Sequence, residues 1–170
     1  MSARKILFTL GMVIVAGVTL LGVRMYKEHG QPVQTPVTYM TAPAGFTGSA
    51  SVLGVNHYAL ENSALGKPTE THTLSGSTHQ VAVFQQSITA TYDDTGTVYR
   101  ITLGKGTQGE VDGVHIGDSL ETVLQTLGEP SRIDKASDHK RYTWDNDWYT
   151  LSVSLQDTVN AVEMELKKAT

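Results

Sequence analysis

Residues 6–23, ILFTLGMVIVAGVTLLGV, form a run of eighteen uncharged and mostly apolar positions near the start of the chain. At ~1.5 Å per residue a helix of that length spans ~27 Å, close to the thickness of a bilayer core. Arg4 and Lys5 precede the run, as in a signal sequence or signal anchor whose N-terminus stays in the cytoplasm. Arg24 and Lys27 follow it, and no A-x-A-like site of small residues closes it. An uncleaved anchor over 1–27 is therefore expected, with a cleaved leader as the alternative. The apolar period then disappears: over 28–50, Pro32, Pro36 and Pro43 stand among Thr and Gly, which predicts a flexible linker. The competing reading there is an edge strand over 37–40.

The pattern is sharpest over 116–130, IGDSLETVLQTLGEP. Leu120, Val123, Leu124 and Leu127 fall at i, i+3, i+4 and i+7, one apolar stripe on a short helix. Asp118 or Ser119 can cap its first turn, with Glu121 placed to complete a box with Asp118. Gly128 offers a left-handed stop, and Pro130 forbids continuation. Strand-like runs follow at 139–144, 148–155 and 159–166, separated by Asp145-Asn146-Asp147 and Gln156-Asp157-Thr158. Tyr149, Leu151, Val153 and Leu155 alternate with Trp148, Thr150, Ser152 and Ser154, the period of a half-buried antiparallel strand.

The same order of signals occurs earlier in the chain. Leu65-Gly66-Lys67-Pro68 precedes Leu127-Gly128-Glu129-Pro130 by 62 residues, and Gly54 precedes Gly117 by 63. Strand-like runs at 80–84, 87–92 and 97–103 follow, with the turn Asp93-Asp94-Thr95-Gly96 between the last two. At an offset of 63, Tyr99, Ile101 and Leu103 fall on Val162, Met164 and Leu166. The first helix is weaker, because Glu61 and Asn62 occupy the places of Val123 and Leu124. The expected fold is α+β: two tandem units of short helix plus three-stranded antiparallel meander, 51–110 and 111–170, behind one N-terminal transmembrane or signal helix.

Composition and charge narrow the function classes. Beyond residue 30, nine Lys and Arg stand against sixteen Asp and Glu. An acidic domain repels phosphate backbones, so nucleic-acid binding is not expected. The absence of cysteine removes disulfides, thiolate metal sites, thiol nucleophiles and a lipidated cysteine together. An exported protein without disulfides points weakly to a single-membrane cell with an exposed wall.

Little in the sequence carries chemistry. Gly117-Asp118-Ser119-Leu120 spells the motif of the GDSL hydrolases, but a downstream Asp-x-x-His is missing and Asp138-His139 has the wrong spacing, so the helix cap explains these letters. His57, His72, His79, His115 and His139 show no metal-ligand spacing. Asp93-Asp94-Thr95-Gly96 lacks the further ligands of a calcium loop and reads as a hairpin turn, as does Asp145-Asn146-Asp147. No catalytic, cofactor-binding or metal-binding residue is expected, and no enzyme. Tyr142, Trp144, Trp148 and Thr150 form the candidate protein-binding surface, since alternation sends Trp148 to the face opposite Tyr149. Rings there can pack within the fold or anchor a partner, and the sequence leaves both open.

The string VHIGDSLETVLQTLGEP followed by Tyr142-Thr143-Trp144 resembles the small α+β modules of the BamE/SmpA/OmlA superfamily, through Gly117, Ser119, Val123, Leu127, Gly128 and Pro130. It is similar also to modules that precede CAP domains in Gram-positive exported proteins. The tandem arrangement resembles the β-lactamase inhibitor protein family. Asp118 departs from the pattern, standing where a methionine is often found, and no CAP domain follows. These resemblances imply an extracytoplasmic protein that acts by binding proteins. The resulting expectation is a membrane-tethered, non-catalytic binding or scaffold module that meets an envelope protein or peptide. The alternative is a proteinaceous inhibitor of a secreted hydrolase. Partner identity and oligomeric state are not legible.

Overall fold

The computed structural model describes residues 37–44 and 49–169. The apolar run 6–23 and part of the presumed linker lie outside them. Among the described residues, no helix is long and apolar enough to cross a membrane.

Eight strands form one antiparallel sheet: β1 (Glu70–Thr73), β2 (Gln80–Val83), β3 (Ile88–Tyr92), β4 (Val98–Leu103), β7 (Arg132–Lys135), β8 (Lys140–Asp145), β9 (Tyr149–Leu155) and β10 (Val159–Leu166). Their spatial order is β1-β2-β3-β4-β10-β9-β8-β7, so the two halves join where β4 lies antiparallel to β10. A separate hairpin pairs β5 (Glu110–Val111) with β6 (Val114–His115). Among the described residues two α-helices complete the fold, α1 (His57–Glu61) and α2 (Leu120–Leu127). The architecture is α+β and mostly antiparallel.

Four strands of the sheet follow each helix, one more than the apolar pattern indicates. The additional strands, β1 (ETHT) and β7 (RIDK), are the two edges, and every residue in them is exposed. They bury no face, so they carry no alternation. Charged residues along them are the usual guard against edge-to-edge association. The β5–β6 hairpin turns on Asp112 and Gly113, both at positive φ, as a two-residue connection of this kind requires.

Alternation places the core on one face of the sheet. Ile101 and Leu103 in β4, Val162, Met164 and Leu166 in β10, and Leu151 and Val153 in β9 are all buried. Fully burying such a side chain stabilises by roughly 1.5–3 kcal/mol, so this layer outweighs any single cap or ion pair. A bulge breaks the pattern at one point. The register of β3 on β4 shifts between Thr91 and Tyr92, with Thr91 opposite Arg100 and Tyr92 opposite Val98, which leaves Tyr99 as the extra residue.

Both helices begin the same way, and the sheet holds both starts. Asn56 caps α1, its side chain accepting from Tyr58 N at 3.1 Å, and Ser119 caps α2, accepting from Thr122 N at 3.2 Å. Asp118 instead accepts from the backbone of His115, and Glu121 completes no box with it among the hydrogen bonds found. Gly54 N donates to Val98 O and Val98 N to Val55 O; in the second half Gly117 N donates to Val159 O and Val159 N to Asp118 O. At the end of α2, Gly128 sits at φ 75 and its carbonyl accepts from Trp144 Nε1 at 3.1 Å, which ties the helix stop to β8.

The presumed linker is fixed at two places. Met40 N donates to Lys167 O and Ala169 N to Thr38 O, both at 2.8 Å, so 38–40 runs antiparallel to the end of the chain. Ser49–Val52 forms a 3-10 turn that buries Ala50. The stretch 37–40 thus holds one isolated bridge, Tyr39 to Lys168, and adds no strand to the sheet.

Candidate functional site

The aromatic group does not form a surface. Tyr142, Trp144 and Trp148 are 6%, 8% and 5% exposed, and Thr150 alone of the four is half-buried. Tyr142 lies opposite Val153 and Trp144 opposite Leu151, so both rings join the apolar layer. Trp148 packs at 4.8 Å from the Tyr149 ring. Of the two readings left open by the sequence, packing within the fold is the one this burial favours.

That opposite face is polar along its centre. Arg100 and Thr102 alternate with Ile101 and Leu103 on β4, while Glu163 and Glu165 alternate with Val162, Met164 and Leu166 on β10. Register sets Arg100 opposite Glu165 and Thr102 opposite Glu163, and on the other side of β10 it sets Thr150 opposite Glu165. Arg100 Nη2 lies 2.9 Å from Glu165, and Arg141 on β8 reaches across β9 to bond Glu163. Beneath them Thr143 and Ser152 share a buried hydroxyl contact at 3.1 Å. The result is a ladder of two cations and two carboxylates, all partly exposed, over four adjacent strands, β4, β10, β9 and β8.

Arg100 is the hub of this ladder. Its Nε lies 3.9 Å from Glu163, near enough for attraction but too far for a hydrogen bond, and among the described residues no acceptor meets it. Burial works against its charge, but the hydrogen bond and attraction of Glu165, with Glu163 behind, outweigh that and raise its pKa. The guanidinium also stands 5.8 Å above the Tyr99 ring. Because it is the bulge residue, Tyr99 stacks on Tyr39 at 5.1 Å and meets His79 Nδ1 through its hydroxyl at 2.9 Å. Burial is the main reason that the Tyr39 hydroxyl is pushed up to about 12; Tyr99, Asp93 and Glu165 add to it and Arg100 opposes. This site is not legible in the sequence alone. Its signal, alternating Arg and Glu on β4 and β10, is visible only once the register is known.

The other candidates have structural roles. Ser119 caps α2, its hydroxyl meeting the backbone N and the Oγ1 of Thr122. Asp93 Oδ1 accepts from Thr95 N, Thr95 Oγ1 and Thr97 N, which makes its hairpin turn. His57 stacks on Tyr92 at 4.4 Å, and His139 pairs with the adjacent Asp138 at 2.8 Å. Among the described residues, no group of three or more His, Asp or Glu is placed to hold a metal ion.

Two solved structures share the fold. One is an extracellular protein containing a SCP domain from Bacillus anthracis, at TM-score 0.56 and 10% identity, covering 79% of this chain and 50% of that one. The other is a cysteine-rich secretory protein from Staphylococcus aureus, at TM-score 0.53 and 12% identity, covering 79% and 51%. The chain spans about half the length of each of these two proteins. A putative β-lactamase inhibitor protein from Streptococcus mutans aligns at TM-score 0.28 and 16% identity, covering 77% of this chain and 92% of that one, too slight a likeness to carry an argument. No family model matches the sequence, that of BamE/SmpA/OmlA included, and no curated protein matches it. The class that fold and site define is an α+β module with one apolar covered face and one charged open face.

Proposed function

We propose that this protein is a non-catalytic extracytoplasmic binding module, tethered to the membrane through residues 6–23, which holds an envelope protein or peptide on the open face of its sheet. The observation that carries this reading is the ladder of Arg100, Glu165, Glu163 and Arg141, fixed by strand register and partly exposed along the centre of the sheet. Charges held in place before a partner arrives give register and specificity to a protein contact. Thr150 belongs to this face and stays within the proposed surface. The SCP-domain protein that shares the fold is extracellular, which supports the outer placement.

The same reading takes 51–110 and 111–170 as two related units. It is supported by the matching pairs of hydrogen bonds, Gly54 and Val55 with Val98, Gly117 and Asp118 with Val159, that join each helix start to the sheet.

A photo-crosslinking residue placed at Thr102, on the open face, or at Glu121, on α2, tests the proposal in intact cells. A discrete protein adduct from position 102 that is absent from position 121 supports it. No adduct at 102, or equal adducts at both, would falsify it. Protease added to intact cells must also digest residues 37–169. Inhibition of a secreted hydrolase by the protein, lost in Arg100→Ala, would convert the binding role into an inhibitory one.

A further inference from the structure

On the covered side of the sheet a cavity of about 460 Å³ opens beside α1, within the roughly 300–1,000 Å³ of small-molecule sites. Its floor is apolar and central: Ile101 and Leu103 from β4, Met164 from β10 and Ile88 from β3. Leu60 and Leu65 form a wall. The polar groups gather elsewhere, where Gln86, Gln108 and Glu110 line the space and, among the described residues, no Lys, Arg or His does. Glu110 is held through one oxygen, Oε2, by His115 at 3.2 Å, so Oε1 is left for another donor.

The backbone at this rim is unusual. Gln86 and Ser87 both have φ of 58, two consecutive side-chain-bearing residues in the left-handed region. Each such residue costs on the order of 1–3 kcal/mol and persists only where the surroundings over-determine it. Here they do: the Thr107 hydroxyl, itself buried, donates to Gln86 O at 2.6 Å, and Gly104 N donates to Ser87 O at 2.9 Å. Glycine would relieve the strain, but a glycine at 86 would bring no amide to the cavity.

We infer that this cavity binds a small aliphatic amine, its hydrocarbon chain on Ile101, Leu103 and Met164 and its ammonium group facing Glu110, with the Gln86 and Gln108 carbonyls as further acceptors. An anionic head would meet the Glu110 carboxylate, whose other oxygen the His115 ring already occupies, so the site discriminates by charge as well as by shape. The site lies on the face opposite the charge ladder and is independent of the proposed partner surface.

The test is a titration of the full-length protein, labelled with ¹³C at isoleucine, leucine and methionine methyl groups, with n-hexylamine, n-hexanoate and n-hexanol. Hexylamine should shift the Ile101 and Met164 methyl signals saturably, with hexanoate at least tenfold weaker. Glu110→Gln, at an exposed rim position, should reduce the preference for hexylamine over hexanol at least fivefold. Leu65→Trp should fill the space and abolish the shifts. Unmoved Ile101 and Met164 signals at saturating hexylamine overturn the site, and hexanoate binding as tightly as hexylamine overturns the amine. Arg100→Ala should leave the titration unchanged, which separates failure here from failure of the partner surface.

Discussion

Ile101 and Met164 stand directly opposite one another across the β4–β10 junction, both buried, and they are also two of the positions that the sequence offset of 63 superimposes. The centre of the sheet therefore coincides with a pair of positions related by that offset. Truncating either side chain should destabilise strongly: Ile101→Ala and Met164→Ala are each expected to cost ~2–4 kcal/mol. Because the two residues share one packing environment, the double variant should fall short of the sum by at least ~0.5 kcal/mol. Urea unfolding of the four proteins measures this, and strict additivity would show that the two side chains do not share their packing.

Two glycines at positive φ should respond differently to alanine. At Gly96 a Cβ would stand 2.8 Å from His57 Nδ1 as well as being strained at φ 83, whereas at Gly128, φ 75, it would meet open space. Gly128→Ala should cost about 1 kcal/mol through the backbone alone, and Gly96→Ala more, roughly 2–3 kcal/mol, through backbone and collision together. Thermal unfolding should rank them in that order, and the His57 ring should shift in NMR spectra of Gly96→Ala but not of Gly128→Ala.

Much of this fold was legible because its signals were local. The stripe of Leu120, Val123, Leu124 and Leu127, the stop at Gly128 and the alternation in β9 each need only a few neighbouring residues, and all produce the indicated element. What escaped notice depends on distant partners. β1 and β7 are strands because β2 and β8 offer them an edge, and nothing in ETHT or RIDK alone says so. Tyr99 leaves the apolar face because β3 and β4 slip by one residue, which no pattern within β4 reveals. The charge ladder was hidden for the same reason: Arg100 and Glu165 are 65 positions apart and meet only through register.

Removing the cap of α2 tests the reading of the Gly-Asp-Ser-Leu string. Ser119→Ala deletes the acceptor for Thr122 N and should cost ~1 kcal/mol of stability. Hydrolysis of acyl esters should be undetectable in both proteins. An esterase activity present in the wild type and lost in a folded Ser119→Ala protein would assign that serine a catalytic role.

High pH should weaken the fold. Tyr149 is held well above its ordinary value by burial and by donating to Asp112 at 2.8 Å, and Tyr39 is pushed up to about 12. A tyrosine whose pKa is higher folded than unfolded favours the folded state while it stays protonated. Its contribution is complete below the unfolded value of 10.0 and is lost as pH rises from there through the folded value. The melting temperature should thus hold level up to about pH 9 and fall from pH 10 to 12. In Tyr149→Phe that fall should be shallower, as measured by scanning calorimetry.

The backbone bond from Ala169 to Thr38 places the first and last described stretches of the domain side by side. Joining them with a short peptide and opening the chain elsewhere, at the exposed Ser137-Asp138 loop for instance, should give a circular permutant with the same sheet. By the same token, the domain could be spliced into a surface loop of a host protein while barely spreading the two attachment points. A fold so connected adds a sheet face to a larger molecule without lengthening it.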